Sequence, residues 1–260
     1  MKIYESAQSY FEGPDEMKNE VTMWFVAGGL LLQELSKKLG NLPFGGLKEK
    51  VGYEESKKLQ NVSVLDLCSG PGNFVNHLAF IYSNLNVVCI DKNPDFVRSG
   101  NEIFKKWKFI EGDVLKINLN QKFDFVITSS AYHHIQDENK IDFLKTIHRY
   151  LVDDGVAIIC ENFLPDYKND SDRKISIKKY YDELEQYYRD GNATKKAVEI
   201  VKEVREQELN SKEEHKVSFR IFEEHLAKTG LKIDNNVIIW QPDIFKYDKA
   251  GSHVITLVNR

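Results

Sequence analysis

Residues 62–74 constrain the fold more than any other segment, because they predict a strand, a tight turn and a helix in immediate succession. An apolar run from Val62 to Leu67 contains one acidic residue, Asp66, and is followed by Cys-Ser-Gly-Pro-Gly-Asn-Phe. Glycine lets the backbone approach a ligand closely, and a helix N-terminus presents unpaired N–H groups. The pattern therefore predicts a small-molecule cofactor site near Gly70 and Gly72.

The residues after this turn argue against two common nucleotide-binding motifs. A dinucleotide fingerprint needs a third glycine three positions after the second, where this chain has Val75. A nucleoside-triphosphate loop needs lysine and then serine or threonine after its last glycine, where this chain has Asn73 and Phe74. The nicotinamide interpretation is weakened, and the triphosphate interpretation fails.

Strand and helix patterns alternate along the rest of the chain. Such alternation requires crossover connections, and it therefore predicts an α/β fold with a mostly parallel sheet. Strands are predicted near 62–67, 86–90, 107–110, 123–128 and 155–161, with two late strands near 236–241 and 253–259. Helices are predicted near 73–83, 94–105 and 138–151.

Acidic residues stand at the ends of three successive predicted strands, namely Asp66, Asp91 and Asp113. The carboxyl ends of parallel strands line the ligand crevice of an open sheet, so these side chains are expected to converge. One carboxylate can accept both hydroxyl protons of a ribose, and another can accept from an exocyclic amino group. Together they predict a nucleoside pocket whose acidic rim favours a cation, such as a sulfonium, over a polyphosphate.

Five segments of the chain, in order and spacing, resemble the class I S-adenosylmethionine-dependent methyltransferases. They are VLDLCSGPG (64–72), VVCIDKNPDFV (87–97), EGDV (111–114), FDFVITSSAYHHI (123–135) and LVDDGVAIICENF (151–163). The resemblance implies a Rossmann-like sheet of seven strands with the last one antiparallel. It further implies S-adenosylmethionine as cofactor, S-adenosylhomocysteine as product, and methyl transfer to an O, N, S or C atom of a small molecule. Residues 4–10 also look like the N-terminal helix that closes over the cofactor in small-molecule members.

The resemblance also implies roles for single residues. Asp91 would bind the ribose and Asp113 the adenine, while Tyr10 would hydrogen-bond the methionine carboxylate. Asp91 could instead cap the helix that begins at Pro94, and Asp113 could stabilise a turn. The chain departs from the family at Cys68, where glycine is common, and the added side chain leaves less room beside the turn. The other expected cofactor contacts are Asp66, Gly70, Gly72, Lys92, Val114 and Ser129.

Two adjacent histidines, His133 and His134, follow the fourth strand toward the place where the methyl group would be presented. Either imidazole could accept a proton from the methyl acceptor, so both are candidate catalytic residues, with simple packing as the alternative. A metal site is not expected, because adjacent residues rarely aim at one ion and no third ligand is apparent. His215, which follows Glu214, is expected to face solvent.

The 260 residues are expected to form a single domain. A helix from Asp15 to Leu39, ended by Gly40, would belong to the lid, and a tyrosine-rich helix face at 180–188 would belong to an insertion. Substrate identity is expected to reside in that lid and insertion. The expected parts are an N-terminal lid and loop (1–61), a cofactor-binding core (62–164), a helical insertion after the fifth strand (165–217), and a C-terminal helix with the last strands (218–260).

Charge and composition limit the partners. The net charge of −4 and the pI of about 6.0 give no general attraction to nucleic acid. The apolar run from Val21 to Leu32 is too short to span a bilayer. The three cysteines have no metal-ligand spacing, so we expect them to be reduced in a cytoplasmic protein. The alternatives left open are an RNA methyltransferase, a catalytically silent S-adenosylmethionine-binding protein, and another transfer from the same cofactor; oligomeric state is not predicted.

Overall fold

The computed structural model describes residues 18–39, 61–81, 85–210 and 214–259. Within these ranges, seven strands form one sheet that is flanked by seven α-helices. The strands are β1 (Ser63–Leu67), β2 (Asn86–Asp91), β3 (Lys108–Glu111), β4 (Phe123–Ser129), β5 (Leu151–Phe163), β6 (Leu231–Trp240) and β7 (Gly251–Asn259). The helices are α1 (Lys18–Leu39), α2 (Asn73–Ile81), α3 (Pro94–Ile103), α4 (Lys140–Tyr150), α5 (Asp170–Asp190), α6 (Lys195–Leu209) and α7 (Phe219–Leu226).

The strand order in the sheet is β3-β2-β1-β4-β5-β7-β6. Strands β1 to β5 pair in parallel, and β7 runs antiparallel to both of its neighbours. This confirms the predicted Rossmann-like sheet with an antiparallel last strand. The chain order reverses between β1 and β4, and at such a switch point the carboxyl ends of the strands open a crevice for a ligand.

Both faces of the sheet are buried, which explains the nearly continuous apolar strands of the sequence. Successive side chains of a strand point to opposite faces, so Val64 packs on one side and Leu65 on the other. The first face is covered by α1 and α2 through residues such as Met23, Ala27, Leu31, Leu35, Phe74 and Leu78. The second face is covered by α4 and α7 through residues such as Phe143, Leu144, Ile147, Phe219, Phe222 and Leu226.

Strand β6 starts five residues earlier than the sequence pattern predicts. Its first half contains Asp234, Asn235 and Asn236, which are residue types depleted in strands. The strand forms nevertheless because it lies at the sheet edge and pairs with β7 along its length, with register shifts at two places. Pairing with a neighbour has therefore overridden local propensity.

Helices α5 and α6 follow β5 and pack against each other, in agreement with the expected helical segment after the fifth strand. Asn169 caps α5 by accepting from the Asp172 N–H, and Thr194 caps α6 by accepting from the Ala197 N–H. The two helices share a small core with Leu164 and Trp240; this core includes Ile177, Tyr180, Tyr181, Tyr188, Val198 and Val201. The tyrosine-rich face is thus mainly a packed surface.

Helix α1 is described from Lys18 and lies against the first face of the sheet. The predicted lid residues before it, including Tyr10, lie outside the described residues, as does the loop at 40–60. Among the described helices, none is long and apolar enough to cross a membrane.

Candidate functional site

The turn after β1 has an unusual backbone. Cys68, Gly70 and Gly72 all have positive φ, at 56°, 54° and 101°. A Cβ added at Gly72 would lie 2.7 Å from Cζ of Phe109 and 3.0 Å from Phe104. Glycine is therefore needed there for backbone conformation and for packing against these rings. Cys68 adopts the left-handed conformation in spite of its side chain, at the position where the resembled family often has glycine.

Asp91, at the end of β2, is bonded directly to this turn. One carboxylate oxygen accepts from the Gly70 N–H at 2.8 Å, and the other accepts from the Asn93 N–H at 2.8 Å. Asn93, rather than Asp91, caps helix α3 by accepting from the Asp95 N–H. Burial raises the pKa of Asp91, although the two N–H donors act in the opposite direction. Each oxygen keeps a further lone pair, so the carboxylate can still accept from two ligand hydroxyls.

Asp66, unlike Asp91 and Asp113, has a buried carboxylate oxygen without a hydrogen-bond partner among the described residues. The residue is 1% exposed, and the unpaired oxygen is Oδ2. Burial, with the nearby charge of Asp91, raises its pKa well above the usual range. An unpaired buried acceptor is costly unless a ligand satisfies it, so this oxygen fits a group that carries N–H or O–H donors.

Asp113, which follows β3, stabilises a turn and keeps its carboxylate partly exposed. One carboxylate oxygen accepts from the Leu115 N–H at 3.0 Å, and the other lies 3.4 Å from Nζ of Lys116. The carboxyl group is therefore a turn-forming group that is still open to solvent. Its neighbour Val114 is buried in the core of the second face, and Lys92 is exposed beside Asp91.

Helix α1 reaches the carboxyl end of β4. The indole N–H of Trp24 donates to the Ser129 hydroxyl at 2.8 Å. The next residue, Ser130, has φ of 50°, and its N–H donates to the Cys160 carbonyl at 2.9 Å. Burial raises the pKa of Glu20 on the same helix, and a hydrogen bond with Ser130 partly offsets that effect. Sequence reasoning missed both Trp24 and Glu20, because nothing in the local pattern of a helix marks the end that meets the site.

The predicted histidine pair lies in a short 3-10 turn just beyond β4. His133 is 5% exposed, and its Nδ1 lies 2.5 Å from a carboxylate oxygen of Glu161, at the end of β5. The His133 backbone N–H also donates to Glu161, at 3.2 Å. Burial lowers the pKa of His133 well below its usual value and raises that of Glu161. Burial thus favours the neutral imidazole of His133, and in the tautomer with the proton on Nδ1 this nitrogen donates to Glu161.

A third side chain joins this pair from a distant part of the sequence. Glu214 is 5% exposed and places one carboxylate oxygen 3.7 Å from Nε2 of His133, and the other 3.8 Å from Nδ1 of His134. Burial would raise its pKa, yet the buried ammonium of Lys216 and the two imidazoles lower the pKa of Glu214 to about 2. Glu214 is thus a potential third ligand beside the histidines, which was not apparent from the sequence.

The segment that carries Glu214 is fixed against the histidine turn by its backbone. The His215 N–H donates to the His133 carbonyl at 2.7 Å, and Lys216 also pairs with Glu208 of α6 at 3.5 Å. His215 is partly buried, whereas the sequence predicted that it faces solvent. About eighty residues separate Glu214 from the histidines, so no local pattern could have revealed it. Glu161 was more accessible to prediction, because it stands at a strand end.

Known proteins resemble the central part of the chain. Residues 64–155 match the family described as "Methyltransferase domain". An uncharacterized methyltransferase of Staphylococcus carnosus is 32% identical over 124 residues, covering 48% of this chain and 56% of that protein. One of Alkaliphilus oremlandii is 25% identical over 123 residues, covering 46% and 56%. The matched region thus spans just over half the length of these curated relatives.

Solved structures share the fold at low sequence identity. The mitomycin 7-O-methyltransferase MmcR superposes with a TM-score of 0.51 at 12% identity, over 89% of this chain and 54% of that one. A TehB-like S-adenosylmethionine-dependent methyltransferase from Corynebacterium glutamicum gives 0.50 at 15% identity, over 88% and 94%. PKMT2 from Rickettsia typhi, in complex with AdoHcy, gives 0.52 at 16%, over 77% and 49%.

The family match and the shared fold confirm the resemblance seen in the sequence. Residues 64–155 are therefore similar to a methyltransferase domain, the sheet has the fold of solved S-adenosylmethionine-dependent methyltransferases, and S-adenosylmethionine is the cofactor that both likenesses indicate. The glycine turn, the hydrogen-bonded Asp91 and the unpaired oxygen of Asp66 fit that cofactor, because it carries a ribose diol and an ammonium group.

Proposed function

We propose that the protein transfers a methyl group from S-adenosylmethionine to an O, N, S or C nucleophile of a small molecule. The cofactor, when bound, supplies a methyl carbon activated by its sulfonium and leaves as S-adenosylhomocysteine after the carbon–sulfur electron pair returns to sulfur. The protein's main tasks are to hold the reactants in line and to exclude water.

In this proposal the cofactor lies across the carboxyl ends of β1, β2 and β3. Asp91 accepts from the ribose hydroxyls, Asp113 from the adenine amino group, and Asp66 from a donor that reaches its unpaired oxygen. The protein backbone of the turn at Gly70 and Gly72 lies against the ligand. Lys92, Val114, Ser129 and, from outside the described residues, Tyr10 complete the proposed contacts.

The observation that carries this assignment is the pair of hydrogen bonds to Asp91. They hold its carboxylate against the Gly70 turn, within the residues that match a methyltransferase domain. A carboxylate fixed in this way is already oriented for a diol, so little conformational freedom is lost on binding.

The acceptor is proposed to lie beyond β4, beside the histidine turn. His134 is 49% exposed on its side chain and can meet an acceptor and take its proton, whereas His133 is held by Glu161. A small acceptor is supported by the segment at Glu214, whose backbone is hydrogen-bonded to this turn. The net charge of −4 disfavours nucleic acid as the acceptor.

The organisation of the chain is part of the proposal. We treat the described parts as one domain, because α5 and α6 share a core with Leu164 after β5 and with Trp240 of β6. A cytoplasmic location is proposed because Cys68, Cys89 and Cys160 are unpaired thiols.

Calorimetric titration with S-adenosylmethionine and S-adenosylhomocysteine tests the cofactor site. Asp91→Ala should weaken both by 10-fold or more, which corresponds to about 1.4 kcal/mol, since a charge-assisted pair of hydrogen bonds is lost. Asp95→Ala is the matched control: Asp95 is exposed in the first turn of α3, where it pairs with Arg98, and should leave affinity unchanged. Equal affinity in wild type and Asp91→Ala would contradict the assignment.

Acceptor chemistry needs a separate measurement. Incubation with isotopically labelled S-adenosylmethionine and a library of small nucleophiles, followed by mass spectrometry, should give a methylated product. Rates should fall in His134→Ala. Cofactor binding without any turnover would favour a catalytically silent binding protein, and salt-sensitive binding of RNA would favour an RNA methyltransferase.

A further inference from the structure

Three metal-ligating side chains meet beside the proposed acceptor position. His133, His134 and Glu214 each offer one ligand atom, and these atoms all lie within 4.8 Å of one another. The Glu214 carboxylate approaches both imidazoles, with Oε2 at 3.7 Å from Nε2 of His133 and Oε1 at 3.8 Å from Nδ1 of His134. Ligand atoms about 2.0–2.1 Å from a tetrahedral zinc ion stand roughly 3.4 Å apart. Each imidazole therefore lies within a few tenths of an ångström of this spacing from one of the two carboxylate oxygens of Glu214.

The hydrogen bond between His133 and Glu161 provides an independent indication. A metal-ligating histidine almost always donates its second ring N–H to a carboxylate or carbonyl, which fixes the tautomer and turns the other nitrogen toward the ion. Here Nδ1 of His133 is 2.5 Å from Glu161, and the opposite nitrogen, Nε2, is the one that faces Glu214. The arrangement thus has the outer carboxylate that an imidazole ligand requires.

The donor set and its surroundings indicate which cation would fit. Two imidazoles and one carboxylate suit zinc and other divalent first-row transition metals, and three protein ligands leave one position open. Lys216 pairs with Oε2 of Glu214, so Oε1, which faces His134, is the oxygen less engaged by the ammonium. Glu161 and Glu20 place two further carboxyl groups close to the cluster.

We propose that His133, His134 and Glu214 form a binding site for a divalent transition metal, zinc in the first instance, with Glu161 positioning His133. The open position faces the proposed acceptor region, through the exposed side of His134. Binding of the metal is independent of the proposed function. Its use to promote loss of the acceptor's proton rests on that function, because a divalent cation lowers the pKa of a ligand such as a hydroxyl or thiol.

Zinc chloride titrated alone into tag-free, chelator-treated full-length protein tests the site, with bound metal counted by elemental analysis. Wild type should bind one equivalent. His134→Ala removes a half-exposed ligand with little effect on folding and should weaken zinc at least 100-fold. Glu214→Gln should have a similar effect, and Glu161→Gln should weaken zinc by about 10- to 100-fold. His148→Ala on α4 removes a partly buried histidine elsewhere and should bind zinc as wild type does.

No zinc binding by wild type, or the same affinity in wild type and His134→Ala, would overturn the proposal. Cobalt substitution gives a second readout, because its visible absorption should appear with wild type and His148→Ala but not with Glu214→Gln. S-adenosylmethionine affinity measured on the same samples keeps the two proposals apart. Absence of zinc binding with intact cofactor binding would contradict only the metal site. Absence of cofactor binding in zinc-loaded protein would contradict only the proposed function.

Discussion

Gly72→Ala is predicted to destabilise the protein strongly, because the position forbids a side chain for two separate reasons. Its φ of 101° is outside the left-handed region that other residues tolerate, and strain of this kind costs about 1–3 kcal/mol. The new methyl group would also stand 2.7 Å from Cζ of Phe109 and 3.0 Å from Phe104. Overpacking against ring atoms adds about 1–3 kcal/mol. A loss of at least about 2 kcal/mol is therefore expected.

Gly29→Ala is the matched control, since it adds the same methyl group at another glycine. Gly29 lies inside helix α1, and an added Cβ there meets no atom within 4 Å. Alanine is the better helix former, so this variant should gain about 0.5–1 kcal/mol. The two substitutions should thus change stability in opposite directions.

Urea denaturation, followed by circular dichroism and by fluorescence, measures the free energy of unfolding of both variants. Thermal denaturation measures their melting temperatures. For a chain of this size, a 2 kcal/mol loss lowers the melting temperature by roughly 4–8 °C. Cofactor titration on folded Gly72→Ala would show whether the strained turn still admits the ligand. Equal stability of Gly72→Ala and wild type would refute the argument that this turn needs glycine for its conformation and packing.

Two further predictions concern helix α1, which joins the sheet at both of its ends. Asp124→Asn should cost about 2 kcal/mol at neutral pH, because the carboxylate pairs with Lys38 at 2.7 Å and accepts two hydrogen bonds from the start of β1. Burial raises the pKa of Asp124 but these partners lower it overall, so the stabilisation is present above about pH 4 and disappears as the pH falls through the lower native pKa. Urea denaturation should show a larger loss at pH 7 than at pH 3. Asp154→Asn, which removes an exposed carboxylate near Lys38, should change stability little at either pH. Trp24→Phe and Ser129→Ala should each lower the free energy of unfolding by about 1 kcal/mol. The double variant should lose less than the sum of the two, because both substitutions remove the same hydrogen bond. Full additivity in a thermal denaturation cycle would exclude that bond as a stabilising contact.

Much of the fold was predictable from short-range patterns. The strand, turn and helix at 62–74, the alternation that follows, and the acidic strand ends all depend on spacing between nearby residues, and the structure has them where the sequence places them. The single-domain organisation and the roles of individual site residues stay predictions. Strand β6 shows the limit of local patterns, since its polar first half forms a strand only because β7 is available to pair with it.

The sequence by itself determined the layered α/β fold and the glycine turn of the cofactor site, because periodicity and backbone conformation are properties of adjacent residues. Only the tertiary structure decided that Asp91 bonds to Gly70, that Trp24 reaches Ser129, and that Glu214 joins the two histidines. These contacts join residues from separate elements, so they depend on how the helices and strands pack. The side chains that would meet the substrate belong mostly to this second group, since an active site forms where distant parts of the chain come together.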